Sequence, residues 1–186
     1  NAALAERGLP TRTRAEISHW VGYGAAYLVE SAVPMYEMAS DVLEGYRAHY
    51  RARPVIHTRL YPGIADVLDS LAGQTLAVLS NKPHAETVAI VAELLGRWTF
   101  VAVAGERAGI PRKPAPESIL SILEPLSIAP SAAVMVGDSE VDVATARAAG
   151  MHSIGCAWGF RGAAALQAAG ADAVVLTPTE LAAALR

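Results

Sequence analysis

The sequence predicts an α/β protein in which a doubly wound, mostly parallel β-sheet follows a small all-helical domain. Beyond about residue 76, short apolar runs rich in Val, Leu and Ala alternate with helical patterns that end at glycine. This alternation is typical of βα units, which build parallel sheets covered by helices. Before about residue 52 the sequence shows helical periodicity and no strand pattern. We therefore predict a helical domain over residues 1–55 and an α/β core over residues 56–186.

Length and composition limit the classes of protein to which the chain can belong. The 186 residues allow one ordinary domain or a medium domain with a smaller one. The net charge of −3 argues against a nucleic-acid partner, and no apolar run is long enough to cross a membrane. Cys156 is the only cysteine, so no internal disulfide can form. We expect Cys156 to be a core residue and the protein to be cytoplasmic. The residues leave the oligomeric state open between a monomer and a homodimer.

The helical domain is predicted from cap residues and glycines. Thr13-Arg-Ala-Glu16 is a capping box that opens a helix with Ile17 and Trp20 on one face. Gly22-Tyr-Gly24 interrupts the helical pattern. We expect helices at residues 1–7, from residue 13, and at residues 25–33 and 35–51.

The core is predicted from the alternation that follows an extended linker at Arg53 to Tyr61, which contains Pro54. Pro62 is expected in the first turn of the next helix. The predicted strands lie at residues 76–79, 100–104, 133–136, 153–157 and 173–176. The predicted helices lie at residues 62–71, 84–95, 116–126, 141–149, 163–169 and 179–185.

Two aspartates follow the third predicted strand. Asp138 stands directly after Gly137, and Asp142 lies one helical turn further, so both can face the same side. Ligands of doubly wound sheets bind at the carboxyl ends of the strands, and two carboxylates there suit Mg²⁺. The pattern Ser139-x-x-Asp142 also fits a capping box, in which Asp142 only closes the start of a helix.

Further polar residues stand after two other predicted strands. Ser80 and Asn81 end the first strand, and Lys113 lies in the loop after the second. Because the carboxyl ends of parallel strands share one edge of the sheet, these groups can converge with Asp138. A hydroxyl, a lysine and a carboxylate pair are suitable for binding a phosphate together with a metal ion. Taken singly, Ser80 could instead cap the next helix, and Lys113 could be an exposed loop residue.

The chain resembles the haloacid dehalogenase superfamily, within its phosphoglycolate phosphatase-like group. Three family motifs stand in order as Leu79-Ser-Asn-Lys-Pro83, Lys113-Pro-Ala-Pro116 and Gly137-Asp-Ser-Glu-Val-Asp142. The flanking stretches Tyr61-Pro-Gly63 and Trp158-Gly-Phe-Arg161 match as well. The resemblance covers nearly the whole chain.

The resemblance implies a Mg²⁺-dependent phosphatase that acts on a small phosphorylated metabolite, with phosphoglycolate first, through an aspartyl-phosphate. It implies that Asp138 binds Mg²⁺. It implies that Asp142 either supports the ligands around the metal or holds Lys113. It implies that Lys113 pairs with the nucleophile and the phosphate, as a catalytic residue. Ser80 and Asn81 are implied to bind the phosphoryl oxygens.

The resemblance also implies that the helical domain is a cap over the site, with Gly22 and Gly24 bordering the substrate. The first family motif, Asp-x-Asp-Gly-Thr, does not occur in these residues. In the family it supplies the nucleophile and the general acid/base from the central strand, just before the cap. We expect a segment of roughly 15–25 residues that carries it to precede Asn1. Without that strand, two inner strand edges of the sheet are left unpaired.

Two other functions stay open. The chain could be a non-catalytic binding or regulatory protein of the same fold that has lost its nucleophile. It could also be another phosphotransferase of the superfamily, such as a sugar phosphomutase, although those usually carry Glu-Asp where this chain has Gly137-Asp138.

Overall fold

Residues 1–53 form the helical segment, in which every element of the described residues is a helix. The structure is a computed structural model and describes residues 1–53 and 55–186. Pro54, in the predicted linker, lies outside the described residues. The helical segment contains α1 (Ala2–Ala5), α2 (Arg14–Trp20), α3 (Ala25–Ala32), a 3₁₀-helix (Tyr36–Met38) and α4 (Ala39–Ala52).

Local signals in the sequence fix the start of two of these helices. The predicted capping box is present, because the Glu16 carboxylate accepts the Thr13 N–H at 2.8 Å and Thr13 Oγ1 accepts the Glu16 N–H at 3.2 Å. Such a cap stabilises a helix by about 1 kcal/mol. Gly24 starts α3 with φ of +93°, a conformation that favours glycine. The helices pack on a small apolar core of their own: Ala3, Leu4, Val29, Ala32, Val33, Ala39 and Val42.

The remaining residues alternate between helices and strands, as predicted. The elements are α5 (Ile64–Ser70), β1 (Ala77–Pro83), α6 (His84–Leu95), β2 (Ala102–Glu106), α7 (Glu117–Leu123), 3₁₀-helices (Glu124–Leu126 and Pro130–Ala132), β3 (Val134–Gly137), α8 (Glu140–Ala149), β4 (His152–Cys156), α9 (Gly162–Ala168), β5 (Ala173–Val175) and α10 (Pro178–Ala184).

Helix α5 and strand β1 differ somewhat from their predicted bounds. Pro62 precedes α5 rather than lying in its first turn, because Gly63 takes a left-handed φ of +85° and caps the helix. Strand β1 continues through Pro83, although its register against β2 shifts between Leu79 and Pro83. The chain around Ser80 and Asn81 therefore departs from a regular ladder.

The strands are all parallel and form two sheets within the described residues. One sheet has the order β1-β2 and the other the order β3-β4-β5. Helices α8 and α9 contact the second sheet, and α5 and α10 pack with each other on an apolar cluster that includes Ile154 and Cys156. Cys156 is buried with an unpaired thiol, as predicted for a core residue.

A second apolar cluster joins the two sheets. It contains Ala104 from β2, Met135 from β3 and Ile119 from α7, with Leu79 of β1 packed against it. The cluster holds the carboxyl ends of β1 and β3 on one side of the molecule. None of the helices in the described residues has the length and apolar character needed to cross a membrane.

Candidate active site

Asp138 stands at the carboxyl end of β3, where Gly137 leaves room for Asp142 and Gly159 leaves room for Asp138. A side chain at Gly137 would overlap the Asp142 carboxyl group, and one at Gly159 would overlap that of Asp138. The Phe160 N–H donates to Asp138 Oδ2 at 3.0 Å. Among residues 1–53 and 55–186, Oδ1 of Asp138 has no hydrogen-bond partner. The close packing fixes the carboxylate and leaves one oxygen available.

The Asp142 carboxylate is buried and accepts hydrogen bonds on both oxygens. Its Oδ2 accepts from the Ser139 hydroxyl at 2.7 Å and from the Ser139 and Asp138 N–H groups at 3.2 Å. These bonds confirm the carboxylate side of the predicted capping box. Its Oδ1 accepts from Lys113 Nζ at 2.6 Å. Asp142 therefore closes the start of α8 and holds Lys113 at the same time.

Lys113 lies between the ends of β1 and β3. Its ammonium donates to the Leu79 carbonyl at 3.2 Å as well as to Asp142, and the side chain is only 11% exposed. Burial alone would raise the pKa of Asp142, but the charge of Lys113 and the hydrogen bonds from Lys113 and Ser139 outweigh it, so this pKa is lowered. The ionised form of Asp142 is therefore favoured, and its hydrogen bond holds Lys113 at the edge where the strands end.

The Asn81 side chain organises this edge. Its Oδ1 accepts the Lys113 N–H, and its Nδ2 donates to the carbonyls of Lys113 and Gly22, each at 2.9 Å. The amide is thus engaged with protein on both sides, and only the Asn81 backbone is left to meet a ligand. Ser80 does not cap α6, because Pro83 occupies the N-cap position. Its Oγ accepts the Lys82 N–H at 3.1 Å, which leaves the hydroxyl proton free to donate.

Lys82 lies near the same site, although the sequence predicted no role for it. Its side chain is partly open to solvent, yet the surrounding protein and the charge of Lys113 lower its pKa, against the effect of Asp138. The charges of Lys113 and Asp138 therefore both act on Lys82. The signal in the sequence was its place directly after Ser80-Asn81, as one of only two lysines.

The glycine loop of the helical segment lies on this edge. A Cβ atom on Gly22 would be 4.0 Å from Ser139 Oγ. One on Gly24 would be 3.5 Å from the Asn81 carbonyl oxygen. The structure therefore brings Gly22 and Gly24 together with the predicted phosphate and metal residues.

Arg161 and Glu140 join the helical segment to the core, a set of contacts that the sequence did not predict. Arg161 donates to the carbonyls of Ser18, His19 and Val21 at the end of α2, at 2.8, 3.1 and 2.7 Å. It also pairs with Glu140 at 2.9 Å. We call this set of contacts the Arg161 clamp. No spacing signal could have found the contacts to α2, because Arg161 lies 140 or more positions from those three carbonyls.

Tyr23, in the glycine loop, adds to the clamp. Its hydroxyl donates to Glu140 Oε1 at 2.7 Å, and this hydrogen bond raises the pKa of Tyr23 to about 12. The tyrosine therefore stays protonated and able to donate at any physiological pH.

The site can offer a metal ion one carboxylate oxygen. In the described part of the chain no group of three or more His, Cys, Asp or Glu side chains could hold a metal. Mg²⁺ commonly takes one or two protein carboxylates and completes its shell with water and substrate phosphate. Asp138, with its free Oδ1, fits such a partial site, and Asp142 fits the role of a supporting residue because both of its oxygens already accept hydrogen bonds.

Comparison with known proteins defines the class to which this fold and site belong. The sequence pattern of the haloacid dehalogenase-like hydrolases matches residues 1–156, and the chain belongs to this family. A phosphoglycolate phosphatase of Rhodospirillum rubrum is 34% identical over 172 residues, which cover 86% of this chain and 71% of the relative. One from Chromobacterium violaceum is 35% identical and covers 97% of this chain and 86% of its own length.

Solved structures agree with this assignment. A Lactobacillus delbrueckii protein provisionally named a phosphoglycolate phosphatase superposes with a TM-score of 0.90 at 30% identity, covering 99% of this chain and 88% of the other. A haloacid dehalogenase-like family hydrolase of Streptococcus pneumoniae superposes with a TM-score of 0.89 at 23% identity, covering 99% and 87%. The predicted α/β fold with a helical cap is therefore confirmed, and the chain is similar to phosphatases of this family.

Proposed function

We propose that the protein is a magnesium-dependent phosphatase that hydrolyses a small phosphomonoester, with phosphoglycolate as the first candidate substrate. The position of Lys113 Nζ, held between Asp142 and the Leu79 carbonyl, supports this most strongly. A fixed positive charge beside Ser80 and Asp138 suits a phosphoryl group. The names of the relatives point to the same substrate class.

Each residue of the site has a role in this proposal. Lys113 neutralises the negative charge of the phosphoryl group. The Ser80 hydroxyl and the Asn81 N–H donate to its oxygens, while the Asn81 side chain keeps Lys113 in place. Asp138 holds Mg²⁺, with Asp142 as its supporting residue. The bound ion supplies charge stabilisation to the phosphoryl oxygens.

The proposed reaction needs a carboxylate nucleophile, which we place on a strand that pairs between β1 and β3. In the described residues, β1 pairs with β2 alone and β3 with β4 alone, so each has a free edge beside Lys113. An aspartate oxygen of that strand forms a bond to phosphorus while the ester oxygen leaves and takes a proton from a second acidic group. Water then hydrolyses the aspartyl-phosphate.

The experiment is a phosphate-release assay on the full-length protein with phosphoglycolate and with p-nitrophenyl phosphate. We expect turnover with Mg²⁺, its loss on adding a chelator, and a loss of about 100-fold or more in kcat for Asp138→Asn, because charge stabilisation of the phosphoryl group is removed. The matched control is Asp172→Asn, since Asp172 is an exposed carboxylate outside the candidate active site whose hydrogen bonds join Ser153 instead. Unchanged turnover of Asp138→Asn would contradict the metal role. No release by the wild type would favour a non-catalytic binding protein.

The proposal includes a cytoplasmic location. A chain whose one cysteine, Cys156, is buried and unpaired needs no oxidising compartment, which fits this location.

A further inference from the structure

An open cleft of about 770 Å³ lies between helix α4 and the core beside β1 and β2. Four arginines face it, two from α4 and two from the loop after β2, together with two glutamates. These are Arg47, Arg51, Arg107, Arg112, Glu86 and Glu106. We call this site the arginine cleft. Its volume is in the range of small-molecule sites.

The arginine cleft carries an excess of positive charge. Arg51 lies 3.7 Å from Glu86, whose side chain is only 6% exposed, and Arg112 lies 3.5 Å from Glu106. The guanidinium groups of Arg47 and Arg107 have no hydrogen-bond or ion-pair partner among the described residues. Two positive charges are therefore uncompensated on one surface of a protein whose net charge is −3. Such a concave concentration of one charge sign attracts an anion.

The arginine cleft lies next to the candidate active site. A smaller cavity shares Arg107 and Arg112 with it and is lined on its other side by Ser80 and Asn81. Arg112 directly precedes Lys113, and its Nη1 would be 3.3 Å from a Cβ atom on Gly24. Arg112 therefore borders both the phosphate-binding residues of the candidate active site and the arginine cleft.

We propose that the arginine cleft binds a second anionic group, a carboxylate or a phosphate, carried by the alcohol part of the substrate. This inference rests on the proposed phosphatase function. Arg47 from the helical segment and Arg107 from the core are the residues that determine this specificity, because their guanidinium groups are free to pair with an anion. Arg51 and Arg112 are held by their glutamates and contribute charge around it.

The kinetic test uses substrates that differ only in the second charge. These are phosphoglycolate against 2-hydroxyethyl phosphate, and 1,3-propanediol bisphosphate against its monophosphate, with the full-length protein and Mg²⁺. For Arg47→Gln and Arg107→Gln we expect kcat/KM to fall about tenfold or more with the doubly anionic member, because a charge-assisted contact is lost. We expect less than about a twofold change with the other member of each pair. Which pair responds shows whether the group is a carboxylate or a phosphate.

The matched control is Arg186→Gln, which removes the same charge from the end of the chain beyond α10. It should leave both pairs of rates unchanged. The proposal would be overturned if, in both pairs, the variants lose equally with the two members or lose with neither.

A binding measurement separates this proposal from the proposed function. Isothermal titration with 3-phosphonopropionate and propylphosphonate, which cannot be hydrolysed, compares ligands with and without a carboxylate. Propane-1,3-bisphosphonate extends the comparison to a second phosphate-like group. We expect the wild type to bind at least one doubly anionic ligand about tenfold more tightly than propylphosphonate, and both variants to lose this preference. If the preference is present but no substrate is hydrolysed, the proposed phosphatase function is contradicted, while binding of a second anionic group in the arginine cleft is supported. If the wild type shows no preference, the arginine cleft fails.

Discussion

The carboxylate of Asp142 connects helix formation to the chemistry of the site. One oxygen accepts the hydrogen bonds that start α8, and the other accepts Lys113 Nζ at 2.6 Å. Lys113 and Asp142 have side chains that are each 11% exposed, so water screens their attraction little. The position of the lysine charge therefore depends on the same residue that fixes the turn carrying Asp138.

Breaking this pair should cost far more stability than breaking an exposed one. In Lys113→Met the carboxylate of Asp142 stays buried without its counter-charge, and we expect the free energy of unfolding to fall by about 3–5 kcal/mol. A double-mutant cycle with Asp142→Asn, measured by urea denaturation of the full-length protein, should give a coupling energy above about 1 kcal/mol. The reference cycle uses Arg97 and Asp69, whose side chains are 59% and 56% exposed, and should give less than about 1 kcal/mol. Equal coupling energies in the two cycles would contradict the interpretation.

At the scale of elements, the Arg161 clamp accounts for how the helical segment lies on the core. The last carbonyls of a helix lack partners within the helix, and a guanidinium there also complements the helix dipole. Arg161 supplies donors to the end of α2 from a different part of the fold. Arg147 donates in a similar way to the carbonyls of Ala169 and Gly170 after α9, but both partners belong to the core. The two arginines thus differ in whether their bonds cross to the helical segment.

This difference predicts which backbone amides each arginine protects from hydrogen exchange. In Arg161→Ala we expect amide hydrogen exchange at residues 14–24 to rise about tenfold or more, because several charge-assisted bonds to the end of α2 are lost. In Arg147→Ala the increase should fall at residues 162–172 instead, with residues 14–24 unchanged. Hydrogen exchange of the full-length variants, read by mass spectrometry of peptides, measures both regions. A rise at residues 14–24 in both variants would show a general loss of stability and no clamp.

Local patterns were sufficient to place the elements and to indicate most of the site. Helix α6 lies at the predicted residues 84–95, and the Asp142 capping box lies where its spacing indicated. The convergence of Ser80, Lys113 and Asp138 followed from strand ends that share one edge. What each side chain contacts could not be predicted in the same way. The Asn81 amide binds Gly22 and Lys113, which lie 59 and 32 residues away, and only the packed structure shows such distant pairs.

At the scale of the whole molecule, the five strands of the described residues are divided into two parallel sheets. Strands β1 and β3 each pair on one side only, and the apolar cluster around Met135 holds the two sheets together. Val134 and Val136, both on β3, are 44% and 38% exposed. Free strand edges with exposed valines are sites for pairing with a further strand. The proposed nucleophile strand would cover them and complete one continuous sheet.

Substitution of Val136 tests whether that strand is present in the full-length protein. A strand paired with β3 brings its own side chains over the same face, so a glutamate at residue 136 would be buried without a partner. We expect Val136→Glu to lower the free energy of unfolding by about 2 kcal/mol or more. The control is Val88→Glu on α6, which replaces a valine of similar exposure, 42%, and should change this free energy by about 0.5 kcal/mol or less. Urea denaturation of the full-length variants measures both. If Val136→Glu costs no more than the control, β3 keeps its free edge in solvent, no strand lies between β1 and β3, and the nucleophile must come from elsewhere.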